Sequence, residues 1–198
     1  VNTKCPAQLL RHLIHFVSRD AMNIEGLGPA LLEQLVKNNL ILSPADLYKL
    51  LAEDLLKVER MGEKSVSNVL NAIEKSKQNE LSRLIFALGI RHVGKNAAKL
   101  LTQKFSDIEE IFLATVDEVS EIDGFGEIMA QSVVQYFSLD DTRNLINEFK
   151  GLGIQLSNKS TKVSDAFAGK TFVITGTLPS YSRSDAAAII ESMGGKVS

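Results

Sequence analysis

Gly28, Gly62, Gly94 and Gly126 each follow an apolar residue and directly precede a stretch of helical periodicity, at intervals of 34, 32 and 32 residues. The amides after such a glycine are the open donors of a helix N-terminus, with the positive end of the helix dipole behind them, and together they form a small anion site. Two of the four copies add cations. Arg60 and Lys64 flank Gly62, and Arg91, His92, Lys95 and Lys99 surround Gly94. A cation in the first turn of a helix opposes the dipole, so Lys64 and Lys95 imply a nearby anion, and phosphate is the one this pattern suits. Amides and ammonium groups so arranged hold a phosphate backbone and do no covalent chemistry.

The elements that must position these residues repeat as well. The full pattern is an apolar residue, usually Gly two positions later, then an apolar residue and Gly. Its copies are Ile24-Glu25-Gly26-Leu27-Gly28, Val58-Glu59-Arg60-Met61-Gly62, Ile90-Arg91-His92-Val93-Gly94 and Ile122-Asp123-Gly124-Phe125-Gly126. A period in this range marks a repeated supersecondary unit with room for two or three short helices. Glycine suits a tight turn between helices because a Cβ obstructs positive φ and close backbone approach. The pattern resembles the helix-hairpin-helix motif, whose family role is to hold the DNA backbone through such amides. A turn that merely packs is the alternative for any one copy, and four copies in register argue against it. The resemblance puts Gly26, Gly28, Gly124 and Gly126 among the DNA-binding positions alongside Gly62 and Gly94. Hairpins one and four lack a basic residue in the turn, carrying Glu25 with Pro29 and Asp123 with Glu127, and are expected to be partly structural pairing partners.

Charge is unevenly spread. The net charge is −2, yet residues 55 to 105 carry ten Lys/Arg against four Asp/Glu, whereas residues 106 to 150 carry two against eleven. A basic surface for nucleic acid can therefore be local on a mildly acidic chain. With 198 residues, 44% hydrophobic, and no apolar run of bilayer length, one or two soluble domains are expected, with no membrane partner. A single cysteine excludes an intrachain disulfide, and nothing resembles an export signal. The chain starts without methionine and stops in what reads as a strand, as a fragment of a longer protein would.

Residues 1 to 20 contain Cys5-Pro6-Ala7-Gln8 and an amphipathic helix with Leu9, Leu13, Phe16 and Val17 on one face. Cys5-Pro6-Ala7-Gln8 with His15-Phe16-Val17-Ser18-Arg19 resembles the end of the four-cysteine zinc finger of bacterial NAD-dependent DNA ligases. That resemblance makes Cys5 the last zinc ligand, with three more cysteines upstream, and tetrahedral zinc needs all four. His12 and His15 are one helical turn apart but lack a second ligand pair. The likeness continues through Arg19-Asp20-Ala21-Met22-Asn23-Ile24-Glu25-Gly26-Leu27-Gly28, Ser43 to Tyr48, Leu56 to Ser65 and Phe86 to Gly94, covering residues 1 to about 157. It implies a parent that seals nicks in duplex DNA, 5′-phosphate to 3′-hydroxyl, in replication and repair. NAD and Mg would be its cofactors, and it would work in the bacterial cytoplasm at the nucleoid. No Lys-x-Asp-Gly occurs to supply the adenylated lysine, so this chain alone is expected to be catalytically inactive. Between hairpins, Ser43 with Pro44 and Ser106 with Asp107 and Glu109 read as helix starts, and Leu47, Tyr48, Leu50 and Leu51 read as core.

After residue 157 the helical period fades into a linker over 158–168. Residues 169–198 change character, with a buried strand expected over Thr171-Phe172-Val173-Ile174-Thr175, a helix capped by Ser184-Asp185 and running to Met193, and a strand starting at Gly194-Gly195-Lys196-Val197. This resembles the first half of a BRCT domain, whose partner the sequence leaves open. Gly169-Lys170-Thr171 is not a P-loop, because Ser164 stands where its first glycine belongs and a strand follows. Leu178 likewise breaks a dinucleotide fingerprint after Gly176. The fold class expected is mainly α: four tandem helix-hairpin-helix repeats in two pseudo-two-fold pairs over 21–157, then a truncated α/β BRCT half-domain. The alternatives are a hairpin-containing repair or recombination protein that is not a ligase, and a BRCT interaction module on an inert helical stalk.

Overall fold

The computed structural model describes residues 6–59, 61–158, 166–175, 186–187, 189–190 and 193–197. The chain divides into two compact units, Val1–Ser157 and Asn158–Ser198. In chain order, unit 1 runs α1 (Pro6–Val17), α2 (Pro29–Lys37), a 3-10 helix (Pro44–Lys49), α3 (Ala52–Leu56), α4 (Glu63–Ser76), α5 (Leu81–Ala87), α6 (Lys95–Lys104), α7 (Ile108–Leu113), α8 (Val116–Ser120), α9 (Glu127–Phe137) and α10 (Asp140–Gly151). The four hairpins join α1 to α2, α3 to α4, α5 to α6 and α8 to α9, and in each case the joined helices pack on one another.

The apolar residues of the repeat are what anchor it. Ile24, Leu27, Val58, Ile90, Val93, Ile122 and Phe125 are buried, and Met61 packs against the same core. Burying two side chains three positions apart pulls the intervening backbone into a turn. That turn closes through backbone bonds from Leu27 N to Ile24 O, Met61 N to Val58 O, Val93 N to Ile90 O and Phe125 N to Ile122 O. Elsewhere the core is knitted by aromatic rings. Phe16 of α1 stacks on Phe149 of α10 at 5.9 Å, and Tyr48 from the 3-10 helix meets both edge-on. Around α7 to α10, Phe112 packs on Phe137 at 5.0 Å, with the Arg143 guanidinium over the Phe112 ring.

Three local expectations are corrected. Leu51 is exposed, because the 3-10 helix gives way to extended backbone at Leu50 and Leu51, which sends successive side chains to opposite sides, so that Leu50 is buried. The cap of α7 is Asp107 rather than Ser106: Asp107 is itself extended, bridges to Ser157, and accepts from the Glu109 amide at 2.8 Å. Unit 2 holds β1 (Thr171–Phe172) parallel to β2 (Lys196–Val197), so the strand is shorter than expected. Among the described residues, Thr171 pairs with Lys196 and Phe172 with Val197, and Val173 is exposed. Gly195 is buried where a Cβ would meet Ile190 Cγ2 at 2.7 Å and Phe167 Cβ at 3.1 Å. The expected helix cap at Ser184-Asp185 lies outside the described residues, as do Cys5, Arg60 and Gly176. Among the described residues no helix is long and apolar enough to cross a membrane.

Candidate nucleic-acid interface

Each hairpin separates two backbone tasks. In hairpins one, three and four, whose third turn residue is among the described residues, that residue has positive φ, +90° at Gly26, +67° at His92 and +85° at Gly124. The glycine that opens the following helix is extended, with φ from −75° at Gly28 to −96° at Gly62, a conformation open to any residue. A Cβ placed on Gly28, Gly62, Gly94 or Gly126 would meet nothing within 4 Å. The fold therefore does not itself require glycine at these four exposed positions, and the free space in front of them is suited to an outside group that must come close to the backbone.

Beyond these glycines the helix N-termini are left open. No side chain caps α2, α4, α6 or α9, whereas Asp107 and Thr115 cap α7 and α8. The amides at the start of α4 and α6 are thus donors for an external anion. Pro29 removes one donor from α2. Cations accompany the better sites: Lys64 is exposed on the first turn of α4, and Arg91, His92, Lys95 and Lys99 are exposed on and after hairpin three. At hairpin four the exposed charges are Asp123 and Glu127, with Ile128 beside them.

Hairpin one and the helix leading into it meet both α4 and α5. Gly26 faces Val69 of α4, where a Cβ would stand 2.7 Å from Val69 Cγ2, so here positive φ and close packing both demand glycine. At α1 and its exit, His15 Nε2 is 2.8 Å from the Phe86 carbonyl and the Arg83 guanidinium donates to the Arg19 carbonyl. The resulting groove of about 630 Å³ is lined by Arg19, Asp20, Asn23, Arg83, Lys95 and Lys99 among others. Lys95 donates to Asp20 Oδ1 at 2.7 Å. In the structure, a carboxylate at the entry of the chain's own hairpin one thus sits against the Lys95 ammonium at the start of α6. Arg19, Asp20 and Arg83 were invisible as site residues, because their meeting with Lys95 is made across the fold and leaves no local spacing signal.

The comparisons with known proteins follow the same division. Residues 18–75 match the SAM-like helix-hairpin-helix tandem family, 83–146 the helix-hairpin-helix motif family, and 162–198 the BRCA1 C Terminus (BRCT) domain family. A DNA ligase of Anoxybacillus flavithermus is 51% identical over 201 residues, one of Bacillus pumilus 49% over 203, and one of Clostridioides difficile 48% over 199. This chain fits a C-terminal fragment of a bacterial DNA ligase. The alignments cover 99–100% of it and 30% of each relative. The mainly helical architecture and the tandem hairpins expected from the sequence are both present, with the BRCT match at the end of the chain.

Proposed function

We propose that unit 1 grips double-stranded DNA by its phosphate backbone, without reading sequence, on behalf of a ligase that joins a 5′-phosphate to a 3′-hydroxyl at a nick. The observation that carries this reading is the set of four helix-opening glycines with empty space where a Cβ would be, in front of uncapped helix N-termini. Lys64, Arg91, His92, Lys95 and Lys99 then supply the counterion-releasing charge at hairpins two and three, and Arg60 joins them by its place in the repeat. The acidic surroundings of hairpin four make it the weaker contact.

The joining reaction would use NAD as adenylate donor with Mg, and this chain contributes positioning rather than adenylation, since it has no Lys-x-Asp-Gly. The described residues include no group of three His, Cys, Asp or Glu side chains able to hold a metal. Zinc, if held, depends on Cys5 with cysteines upstream of Val1, in a protein acting in the bacterial cytoplasm. The test is anisotropy titration of the purified chain with two unrelated duplexes of equal length, intact and nicked, over several salt concentrations. Equal affinity for both sequences with a steep salt dependence supports the reading. Salt-insensitive or absent binding returns the chain to the alternative of a BRCT interaction module on a helical stalk.

A further inference from the structure

The structure shows where Lys95 is in the free protein, and from it we infer that Asp20 is a built-in competitor for DNA at hairpin three, occupying Lys95 until a phosphate backbone displaces it. The inference rests on the DNA-binding reading above and adds a residue that sets its affinity. Lys95 Nζ and Asp20 Oδ1 are 2.7 Å apart, and both side chains are more than half exposed, so the pair is open to exchange. A surface ion pair of this kind contributes little to stability and breaks readily. The Lys95 ammonium, through its hydrogen bond and then its charge, holds the Asp20 carboxyl below the usual carboxylate range, with Arg83 and Arg19 adding to the effect. Asp20 is therefore ionised at neutral pH among three cations, as a phosphate oxygen would be.

The carboxylate also discriminates between anions. Trading one carboxylate for one isolated phosphate changes little, since an ammonium gains about as much from either. A duplex backbone that at the same time reaches Lys64, Arg91 and Lys99 gains contacts elsewhere that outweigh the exchange. Among the described residues Lys99, one turn further along α6 and lining the same groove, makes no ion pair, so it is open to the backbone from the outset. Asp20 thereby lowers affinity for every anion and leaves extended polyanions least affected.

The experiment is duplex titration of the full chain at several salt concentrations for wild type, Asp20→Asn, Asp20→Ser, Lys95→Ala and the Asp20→Asn/Lys95→Ala double variant, with circular dichroism melting of each. Removing the carboxylate is expected to tighten binding roughly threefold to tenfold and to steepen the salt slope by about one, as Lys95 meets phosphate without an internal exchange. Lys95→Ala should cost more in the Asp20→Asn background than in wild type. Unchanged or weaker binding by both folded Asp20 variants, with wild type binding normally, overturns the inference and makes the pair a structural clamp. If wild type fails to bind duplex at all, the DNA-binding reading falls first and the inference with it.

Discussion

Lys95 of α6 reaches back 75 positions in sequence to Asp20, 2.7 Å away, and this contact ties hairpin three to the entry of hairpin one. Cations of the same basic segment are therefore not equivalent. Arg60→Ala, Lys64→Ala, Arg91→Ala and Lys99→Ala are each expected to weaken duplex binding by a similar factor on every sequence. Each should lower the slope of log K against log salt by about 0.9. Lys95→Ala should do less, because its charge is already partly spent on Asp20. Parallel titrations of the five variants check the ranking.

The glycines of the repeat should separate by role. Gly94→Ala places a Cβ in open space at φ −85° and is expected to cost the fold no more than about 1 kcal/mol, the penalty of a poorer cap, while hindering the approach of a backbone. Gly26→Ala combines φ +90° with a contact 2.7 Å from Val69 Cγ2 and should cost more than about 2 kcal/mol. Gly124→Ala, strained only in φ, should fall between them. Urea unfolding of the three variants gives the order directly.

His92 occupies the position that is glycine in hairpins one and four, at φ +67°. A non-glycine residue there stores strain of roughly 1 kcal/mol. His92→Gly is expected to raise stability by up to about that amount while weakening duplex binding, and His92→Val to lower stability. A gain in stability together with a loss of affinity would show that the turn trades one for the other.

Tyr48 and Tyr136 are held by burial, and each hydroxyl is pushed up to about 12, partly offset by hydrogen bonds with Ser76 and Thr142 respectively. In the unfolded chain these phenols ionise near 10. The unfolded state therefore loses protons first as pH rises, so the stabilisation is whole below about pH 10 and is lost between about 10 and 12. Urea midpoints measured from pH 8 to 11 should fall steeply above 10, and less steeply in Tyr48→Phe.

Much of this architecture was legible because it is local. The burial of Ile24 with Leu27, or of Ile90 with Val93, follows from a five-residue pattern, and the helix after each final glycine follows from periodicity. What was hidden is what the fold brings together. Nothing near Asp20 announces Lys95, and nothing near Gly26 announces Val69, whose methyl makes that glycine obligatory. Leu51 reads as core by composition, yet the extended exit from the 3-10 helix turns it outward. Of the expected strand over Thr171 to Thr175, Thr171 and Phe172 pair with Lys196 and Val197 among the described residues, and Val173 is exposed.

Whether hairpins two and three hold the DNA backbone through charge and open amides is decided by comparing the triple variant Lys64→Ala/Arg91→Ala/Lys99→Ala with Gly126→Val. Duplex affinity would be measured across salt for both, after circular dichroism shows that each is folded. The triple variant is expected to lose about three units of salt slope and most of its affinity, with Gly126→Val close to wild type. Intact binding by the triple variant, with binding abolished in Gly126→Val, would contradict it and move the DNA to hairpin four.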